Sequence, residues 1–322
     1  MIKASPKLKG FNIPGLQKRV LVSLFADDTA LYLSKEDRYD DVKELLDKWC
    51  LASGAKFNIS KTEIIPIGSQ EHRDTIIRTR KINQNDREPL DQNIRIAKDK
   101  DATRYLGAWI GNHVDNIGPW ETTLETIEAN FKMWAKAHPT LNGKSLIVQM
   151  NAGGRTQFRA KVQGMPDHVE KELIKIIRNF IWDGKHTPPV AMDQLYRPRA
   201  EGGIGLLDIK TRNKAIQITW LRAYLDLSPT RPKWAFITDL LVNKIIPKGF
   251  NDVATINTFL QTWNPVLQGK RTNFLGQETI NMFKVAKEFN TTFAALKITK
   301  DLKEQLPAWY HLGAPKPKTM KH

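Results

Sequence analysis

Cysteine is almost absent from this sequence, and so are long apolar stretches. The single cysteine, Cys50, excludes an intrachain disulfide and any zinc site built on paired cysteines, and it fits a reducing setting. No apolar run approaches the ~18 residues of a membrane-spanning helix. The first residues, MIKASPKLKGFNIPG, carry a basic cluster with no apolar segment behind it, so no secretory signal is predicted. We therefore expect an intracellular protein, in the nucleus or cytoplasm, that is not secreted.

Acidic residues are scarce relative to basic ones. Fifty lysines and arginines against 34 aspartates and glutamates give a net charge of +16 and a pI near 9.8. The basic residues are spread along the 322-residue chain, which argues against a disordered basic tail as their source. Nine tryptophans lie among them, and although most are expected in the core, some could stack on bases. The charge favours nucleic acid as the partner over an anionic membrane surface, and no membrane partner is expected.

The first 110 residues mix strand and helix patterns, whereas the rest is dominated by helical spacing. The elements predicted in the first part are a β-hairpin over 20–33, a helix over 37–53 that ends at Gly54, short strands over 56–60 and 61–68, a loop-rich insertion over 69–101 with one strand at 94–96, and a strand over 104–111. The elements predicted after it are helices from 119 to 134, 144 to 150 (interrupted by two glycines at 153–154), 167 to 180, 209 to 225, 252 to 263 and 277 to 299, then a basic tail.

Two adjacent aspartates, Asp27 and Asp28, stand at the predicted tip of the hairpin, within LFADDTALYL. Neighbouring carboxylates repel each other unless a cation lies nearby, although hydration at a turn also relieves the repulsion and aspartate is common in turns. The alternative is a metal site, because nucleotidyl transfer uses two Mg²⁺ ions held by oxygen ligands to activate a primer hydroxyl and stabilise the leaving pyrophosphate. FADD alone is a weak signal, so the neighbouring segments must decide between the two interpretations.

The neighbouring segments form an ordered series. FADD at 25–28 resembles the (Y/F)xDD block of reverse transcriptases, in the form typical of non-LTR (long interspersed element type) retrotransposons. LLDKWCLASGAKFNISKTEIIPIG is similar to the family's next palm block, and FIWDGK and RPRAEGGIGLLDIKTRNKAI are similar to its downstream helical region, most like that of fungal elements. The resemblance runs from residue 25 to residue 216, and its specificity lies in the order and spacing of the blocks.

The resemblance assigns roles to individual residues. Asp27 matches the family's metal-coordinating aspartate, and Asp28 matches the adjacent aspartate, which has a lesser role. Lys61 matches a lysine proposed to protonate the pyrophosphate or to contact the phosphates of the incoming nucleotide, for which an ammonium group is suited. Tyr105-Leu106-Gly107 matches the YLG at the start of the primer grip. Without the resemblance, the lysine would be interpreted as a surface residue and the tyrosine as a core residue on a plain strand.

The resemblance also implies a fold and a set of ligands. The fold would be α+β, with a partial polymerase palm (β-hairpin, helix and short antiparallel strands) followed by a predominantly α-helical thumb-like region. The domains would be the second half of the palm at 1–111, the thumb-like region at 112–228 and a C-terminal helical segment of unknown role at 229–322. The cofactor would be Mg²⁺ or Mn²⁺, and the partners an RNA template with a DNA primer or an RNA–DNA hybrid, together with deoxynucleotides.

Two blocks of the family lie upstream of FADD: a strand that carries a third catalytic carboxylate, and a glycine-rich QG block. Only 24 residues precede Phe25, and SPKLKGFNIPG matches the linker after the QG block, so the fingers and the first half of the palm are expected to be absent. The metal site would then have weaker affinity and looser geometry. We therefore expect a fragment of an RNA-directed DNA polymerase that is inactive alone, with the missing N-terminal half as a candidate partner.

Two other functions stay open at this point. A non-catalytic nucleic-acid-binding protein could grip an RNA–DNA duplex by its backbone through basic helices, and its salt-sensitive binding would not depend on Asp27 or Asp28. A helical interaction protein could use the apolar stripe at 120–134 as a partner face, although such stripes usually form core.

Overall fold

The residues that the computed structural model describes are 1–115, 117–185, 187–226, 228–245 and 274–289. The chain divides into two compact units, the first comprising Met1–Trp120 and the second beginning at Glu121, and each is described by itself. The first unit combines helices with short strands, and the described part of the second is helical. The mixed α and β composition predicted from the sequence is therefore confirmed. None of the helices in these ranges has both the length and the apolar character needed to cross a membrane.

Before the start of α3 at Gly118, the described residues of the first unit form two α-helices and three small two-stranded sheets. Its elements are β1 Val22–Phe25, β2 Asp28–Leu31, α1 Tyr39–Ser53, β3 Glu63–Ile64, α2 Gln70–Thr79, β4 Arg95–Ile96, β5 Thr103–Tyr105 and β6 Ala108–Ile110. The pairs β1–β2 and β5–β6 are antiparallel hairpins, whereas β3 and β4 pair in parallel. The prediction that all of these short strands are antiparallel is therefore wrong for β3 and β4.

Three further sequence predictions for this unit are wrong. The strand predicted at 56–60 is absent, because the side chain of Asn58 accepts a hydrogen bond from the Lys61 N–H and closes a short 3₁₀ turn. The segment predicted as a loop-rich insertion contains α2, whose first turn is capped by the Ser69 hydroxyl. The single strand predicted at 104–111 is the β5–β6 hairpin. By contrast, α1 ends as predicted at Gly54, which has a left-handed φ of 71°.

The N-terminal segment is attached to the loop after β2 by one buried carboxylate. The Asp37 side chain is fully buried and accepts hydrogen bonds from the N–H groups of Lys9, Gly10 and Ser34, and from the Ser34 hydroxyl. Burial alone would raise the pKa of Asp37, but these donors outweigh it and hold the pKa below its usual value. Beside this carboxylate, Leu8, Leu21 and Val42 form the centre of a small apolar core.

The described elements from α3 onward are helical. They are α3 Gly118–Ala135, α4 Leu141–Val148, a π-helical turn Gln149–Gly153, α5 Gly154–Gln163, α6 Asp167–Ile181, α7 Met192–Tyr196, α8 Ile209–Tyr224, α9 Lys233–Asn243 and α10 Gln277–Glu288. Helices α3, α6 and α8 confirm their predictions. The predicted interruption at 153–154 is wrong, because the helix continues through both glycines into α5. Helix α9 was not predicted, and the predictions at 252–263, beyond 289 and for the tail lie outside the described residues.

The second unit has a continuous apolar core around α6. Six residues of α6 are buried: the five expected from helical spacing, with Ile181 in addition. The five are Val169, Leu173, Ile176, Ile177 and Phe180. The rings of Phe131 and Phe180 stack with their centroids 4.3 Å apart. Because Trp120, Ile127 and Phe131 are all buried, the stripe on α3 is mainly core, which argues against its use as a partner face.

Candidate functional site

The two aspartates occupy different positions on the first hairpin. Val22 pairs with Leu31 and Phe25 with Asp28, so Ala26 and Asp27 form a two-residue turn and Asp28 is the first residue of β2. Ala26 has a positive φ of 50°, a conformation that costs an L-residue about 1 kcal/mol. The tight turn therefore sets both carboxylates at the extreme end of the hairpin.

The tip of this hairpin is open to solvent. Both aspartates are exposed, and within the described residues neither carboxylate forms an ion pair. Leu24 and Phe25 are 66% and 64% exposed, although large apolar residues on a strand usually pack against something. Phe25 lies on the same face as Asp28, and Leu24 lies on the other face with Thr29. In the described ranges no third strand pairs with β1 or β2, so both edges of the hairpin are unpaired. Val22 at the base of the hairpin is buried, whereas the residues at its tip are exposed.

Lys61 ends the 3₁₀ turn that follows α1. Its N–H donates to the Asn58 side chain at 3.2 Å, and its own side chain is exposed. Nearby, the rings of Trp49 and Phe57 lie 5.3 Å apart and are both partly exposed. Asn58 therefore has a local structural role, and Lys61 is positioned on an exposed turn.

Tyr105-Leu106-Gly107 lies at the second hairpin. Tyr105 ends β5 opposite Ala108, and Leu106 and Gly107 form the turn with φ values of 47° and 82°. Two positive φ angles in succession are the pattern of a type I′ hairpin turn, which favours Asn-Gly and disfavours leucine. Tyr105 is half-buried, and Leu106 is exposed. The predicted plain strand is thus a tight turn that brings the backbone of residues 106–107 to the surface.

Tyr32 lies close enough to Tyr105 to interact with it electrostatically. It directly follows β2, and its ring lies 6.0 Å from that of Phe11. Burial raises the pKa of Tyr32, and the nearby Tyr105 raises it further. The Tyr32 phenol at the base of the first hairpin and the Tyr105 phenol at the end of β5 are therefore near each other.

The carboxylates of Asp27 and Asp28 are suitable as part of the ligand set of a divalent cation. Carboxylate oxygens suit Mg²⁺ and Mn²⁺, and Mg²⁺ in proteins is commonly held by one or two carboxylates together with substrate phosphates. Among the described residues, no group of three or more His, Cys, Asp or Glu side chains could hold a metal ion. The hairpin therefore offers two carboxylates, and the remaining ligands would come from a substrate or from another polypeptide segment.

A second candidate surface lies on residues 141–163, which the sequence patterns did not single out. The signal that could have found it is the complete absence of aspartate and glutamate from these residues in a chain that has 34 of them. Apolar residues occur on both sides of this helix, so the sequence alone does not distinguish its core face from its exposed face.

Comparison with known proteins connects the chain to a mobile element. It is 20% identical over 297 aligned residues, covering 85% of this chain, to the "Transposon TX1 uncharacterized 149 kDa protein" of Xenopus laevis. The chain spans 21% of the length of that relative. No protein-family model matches the sequence. The chain is thus similar to part of a transposon protein.

Proposed function

We propose that this chain is the part of a non-LTR retrotransposon reverse transcriptase that begins at the catalytic FADD block, with the second half of the palm followed by a thumb-like region. The observation that carries the proposal is the pair of exposed aspartates at the end of a tight apolar hairpin. The similarity to part of a transposon protein is independent of the hairpin geometry, and it supports the same proposal. That the element is of a fungal type is part of the proposal.

The open hairpin has the properties expected of a palm element that lacks neighbouring strands. An isolated two-stranded hairpin is marginally stable in water, and unpaired strand edges are normally covered. Here the edges of β1 and β2 are unpaired in the described residues, and Leu24 and Phe25 are exposed beside the aspartates. A further strand that carries the third carboxylate would cover this apolar surface and complete the ligand set.

In the complete site, Asp27 would hold Mg²⁺ or Mn²⁺, with Asp28 beside it and Lys61 directed to the phosphates of the incoming nucleotide. When bound, the metal would activate the primer 3′-hydroxyl and stabilise the leaving pyrophosphate. The residues of this chain would contribute the fixed position of the carboxylates, which the two-residue turn holds at the end of β1 and β2. The 106–107 turn would offer backbone groups to the primer phosphate.

Because the hairpin offers only two carboxylates, the 322-residue chain assayed alone should not extend a primer on an RNA template with either metal. Extension that disappears in Asp27→Asn would refute this expectation. The metal site itself can be tested with Mn²⁺, whose unpaired electrons broaden nearby NMR resonances. Broadening should centre on residues 26–30 and should disappear in the double variant Asp27→Asn/Asp28→Asn.

Asp40 and Asp41 supply a matched control for the metal experiment. They are also adjacent aspartates, but each forms an ion pair, with Arg38 and Lys7 respectively. Mn²⁺ should therefore prefer the hairpin pair to this one. Equal broadening at both pairs, or broadening that persists in the double variant, would contradict a metal site at the hairpin.

A non-catalytic nucleic-acid-binding protein is the second candidate, favoured by the net charge of +16 and by the acid-free helix at 141–163. It predicts salt-sensitive binding of nucleic acid that is unchanged when both hairpin aspartates are replaced. The metal experiment separates the candidates, because only the polymerase proposal requires a cation at the hairpin.

A further inference from the structure

Residues 141–163 form one helix that has a buried face and an exposed face. Helix α4 continues through the π-helical turn into α5. Within the second unit, α4 packs on α6 and α5 packs on α8. The residues buried on this side recur at intervals of four, and they are Val148, Ala152, Thr156 and Ala160.

The exposed face carries a row of large apolar side chains. Residues two positions away from the buried series lie on the opposite side, because two residues turn an α-helix by about 200°. We call four of them the apolar stripe: Leu146, Met150, Phe158 and Val162, which are 67%, 57%, 52% and 38% exposed. Large apolar residues that are exposed in a row commonly mark an interaction surface.

The π-helical turn keeps the apolar stripe on one side of the helix. In an α-helix, residues at intervals of four drift around the axis by about 40° per step. A π-helical turn contains more residues than an α-helical turn, so four residues fall short of a full rotation there and the drift is reversed. The turn at Gln149–Gly153 lies in the middle of the stripe, so the residues before and after it can contact one partner together.

The apolar stripe is arranged symmetrically about Gly154. This glycine belongs to the same series at intervals of four, with two large apolar residues before it and two after it. It is exposed, and a Cβ atom placed on it would meet no atom of the described protein within 4 Å, so internal packing does not require a glycine here. A glycine at the centre of a surface allows another backbone to approach closely. The stripe therefore matches a second copy of itself turned by 180°, which is what a two-fold contact requires.

We propose that the chain forms a dimer in which two copies of this helix pair antiparallel about Gly154. Met150 of one copy then faces Phe158 of the other, and Leu146 faces Val162. The axes of packed helices lie about 8–10 Å apart, depending on the side chains between them, and a glycine from each copy permits the short end of that range. The inference does not depend on the proposed function, because none of these residues belongs to the candidate metal site.

The polar residues beside the apolar stripe favour the antiparallel orientation. Gln149 and Gln157 are exposed on the same edge of the stripe, so Gln149 of one copy approaches Gln157 of the other, where amides can both donate and accept. Lys161 lies seven residues from Gly154, so an antiparallel pair separates the two lysines by about 20 Å along the helix, whereas a parallel pair would place them at the same level. Antiparallel helix dipoles also attract each other.

The area of this contact indicates a weak dimer. At these exposed fractions each side chain of the stripe presents on the order of 100 Å², so the two copies together remove about 800 Å² from water. The glutamines and the apolar stem of Arg155 extend the contact toward the roughly 1,200 Å² at which specific interfaces begin. We therefore expect a reversible dimer that forms at micromolar or higher concentration, not a permanent one.

Arg155 gives the dimer a characteristic dependence on salt. It is exposed and directly follows Gly154, so in the antiparallel pair the two guanidinium groups lie on the same edge near the two-fold axis. Like charges repel, and salt screens the repulsion. Added salt should therefore strengthen the dimer, whereas it would weaken binding of a polyanion to the same face. Arg155→Gln should strengthen the dimer at low salt.

The test is sedimentation equilibrium of the full chain at concentrations from about 1 to about 100 µM. The wild-type chain should show a reversible equilibrium between monomer and dimer. Gly154→Leu should weaken the dimer at least tenfold, because a leucine from each copy at the closest point forces the helices apart. Leucine is a better helix former than glycine, so circular dichroism should show an unchanged fold.

Gly118→Leu is the matched control for this substitution. Gly118 is also exposed and helical, and a Cβ atom there meets no atom of the described protein within 4 Å. It lies outside helix 141–163, so Gly118→Leu should dimerise like the wild type.

A charge exchange tests the antiparallel register. Met150→Lys and Phe158→Glu should each weaken self-association at least tenfold, because each places a charge against an apolar side chain of the other copy. An equimolar mixture of the two variants should recover a dimer, since the new lysine faces the new glutamate and the other half of the contact stays apolar. In a parallel pair each new charge would face the wild-type residue of the same number, so a mixture that does not recover would refute the antiparallel pairing.

Three results would overturn the dimer itself: a wild-type chain that stays monomeric over the whole concentration range, a Gly154→Leu variant that dimerises like the wild type, or a wild-type dimer that dissociates as salt is added. Asp27→Asn/Asp28→Asn should dimerise like the wild type. Loss of the expected Mn²⁺ broadening with an intact dimer therefore refutes only the polymerase proposal, and the reverse result refutes only the dimer.

Discussion

Replacing Asp37 with asparagine should destabilise the first unit strongly. One carboxylate oxygen accepts from Gly10 N–H, Ser34 N–H and the Ser34 hydroxyl, and the other accepts from Lys9 N–H. An asparagine can offer its carbonyl oxygen to only one of these groups of donors. Its NH₂ group would then face a buried N–H, most simply that of Lys9, and two donors would oppose each other.

The magnitude follows from the bonds that are lost. A hydrogen bond to a charged group contributes about 1.5–3 kcal/mol, and a buried donor without an acceptor costs about 1–3 kcal/mol. At least one bond is lost in Asp37→Asn and the others lose the charge of their acceptor, so we expect a destabilisation of about 3 kcal/mol. Glu36→Gln is the control, because Glu36 is an exposed neighbour whose ion pair with Lys9 lies at the surface, and its effect should be far smaller.

The assay is urea denaturation read by hydrogen–deuterium exchange, which separates peptides of the first unit from those of the second. The two units need not unfold together, so a single midpoint for the whole chain would be misleading. Peptides that contain residues 5–12 and 32–45 should unfold at lower urea in Asp37→Asn. Peptides of α6 should keep their wild-type midpoint.

The pH dependence tests the role of the charge. The folded-state pKa of Asp37 is lowered, so its contribution is fully present above the unfolded-state pKa of about 3.9 and is lost as pH falls through the folded-state value. The stability difference between wild type and Asp37→Asn should be constant from about pH 6 to 8 and should shrink below about pH 4. An unchanged midpoint at neutral pH, or a difference that grows on acidification, would refute the reasoning.

Three further predictions concern turns and buried charge. Gly164→Ala should destabilise the second unit by about 1–3 kcal/mol in urea denaturation, because Gly164 has φ 72° and ψ 171° and a Cβ atom there would overlap the Glu278 carboxylate. Gly184→Ala, with φ 75° and open space around the Cβ position, should cost less. Asp183→Asn should destabilise the second unit by about 1–2 kcal/mol, because it leaves the buried Lys144 ammonium with the Ile181 carbonyl but without its anion. Lys144→Met should destabilise it less, since no buried charge remains, and the opposite order would contradict this account. Leu106→Asn should stabilise the β5–β6 hairpin by about 0.5–1 kcal/mol, seen as slower amide exchange, because asparagine tolerates positive φ; faster exchange would show that the turn is not strained.

Local sequence patterns predicted several secondary-structure elements of this protein. The β1–β2 hairpin follows from two short apolar runs around a turn of small and acidic residues, and α6 follows from apolar residues at helical spacing. Both patterns involve residues only a few positions apart, so they predict these elements without information about the rest of the chain. The position of Asp27 and Asp28 at the hairpin tip was therefore predictable. Their role as metal ligands stays a prediction, because it depends on groups beyond the hairpin.

Other features depended on contacts between distant residues. The parallel pair β3–β4 joins two-residue strands some 30 positions apart, and segments so short have no periodicity to detect. Asp37 occurs in a charged sequence that suggests an exposed helix start, and only the amides of residues 9 and 10 make it a buried acceptor. Helix 141–163 is apolar on both faces, and the packing of α6 and α8 decides which face is buried and which stays exposed. Sequence spacing determines which residues share a face of a helix, but burial is a property of the surfaces that the folded chain brings together.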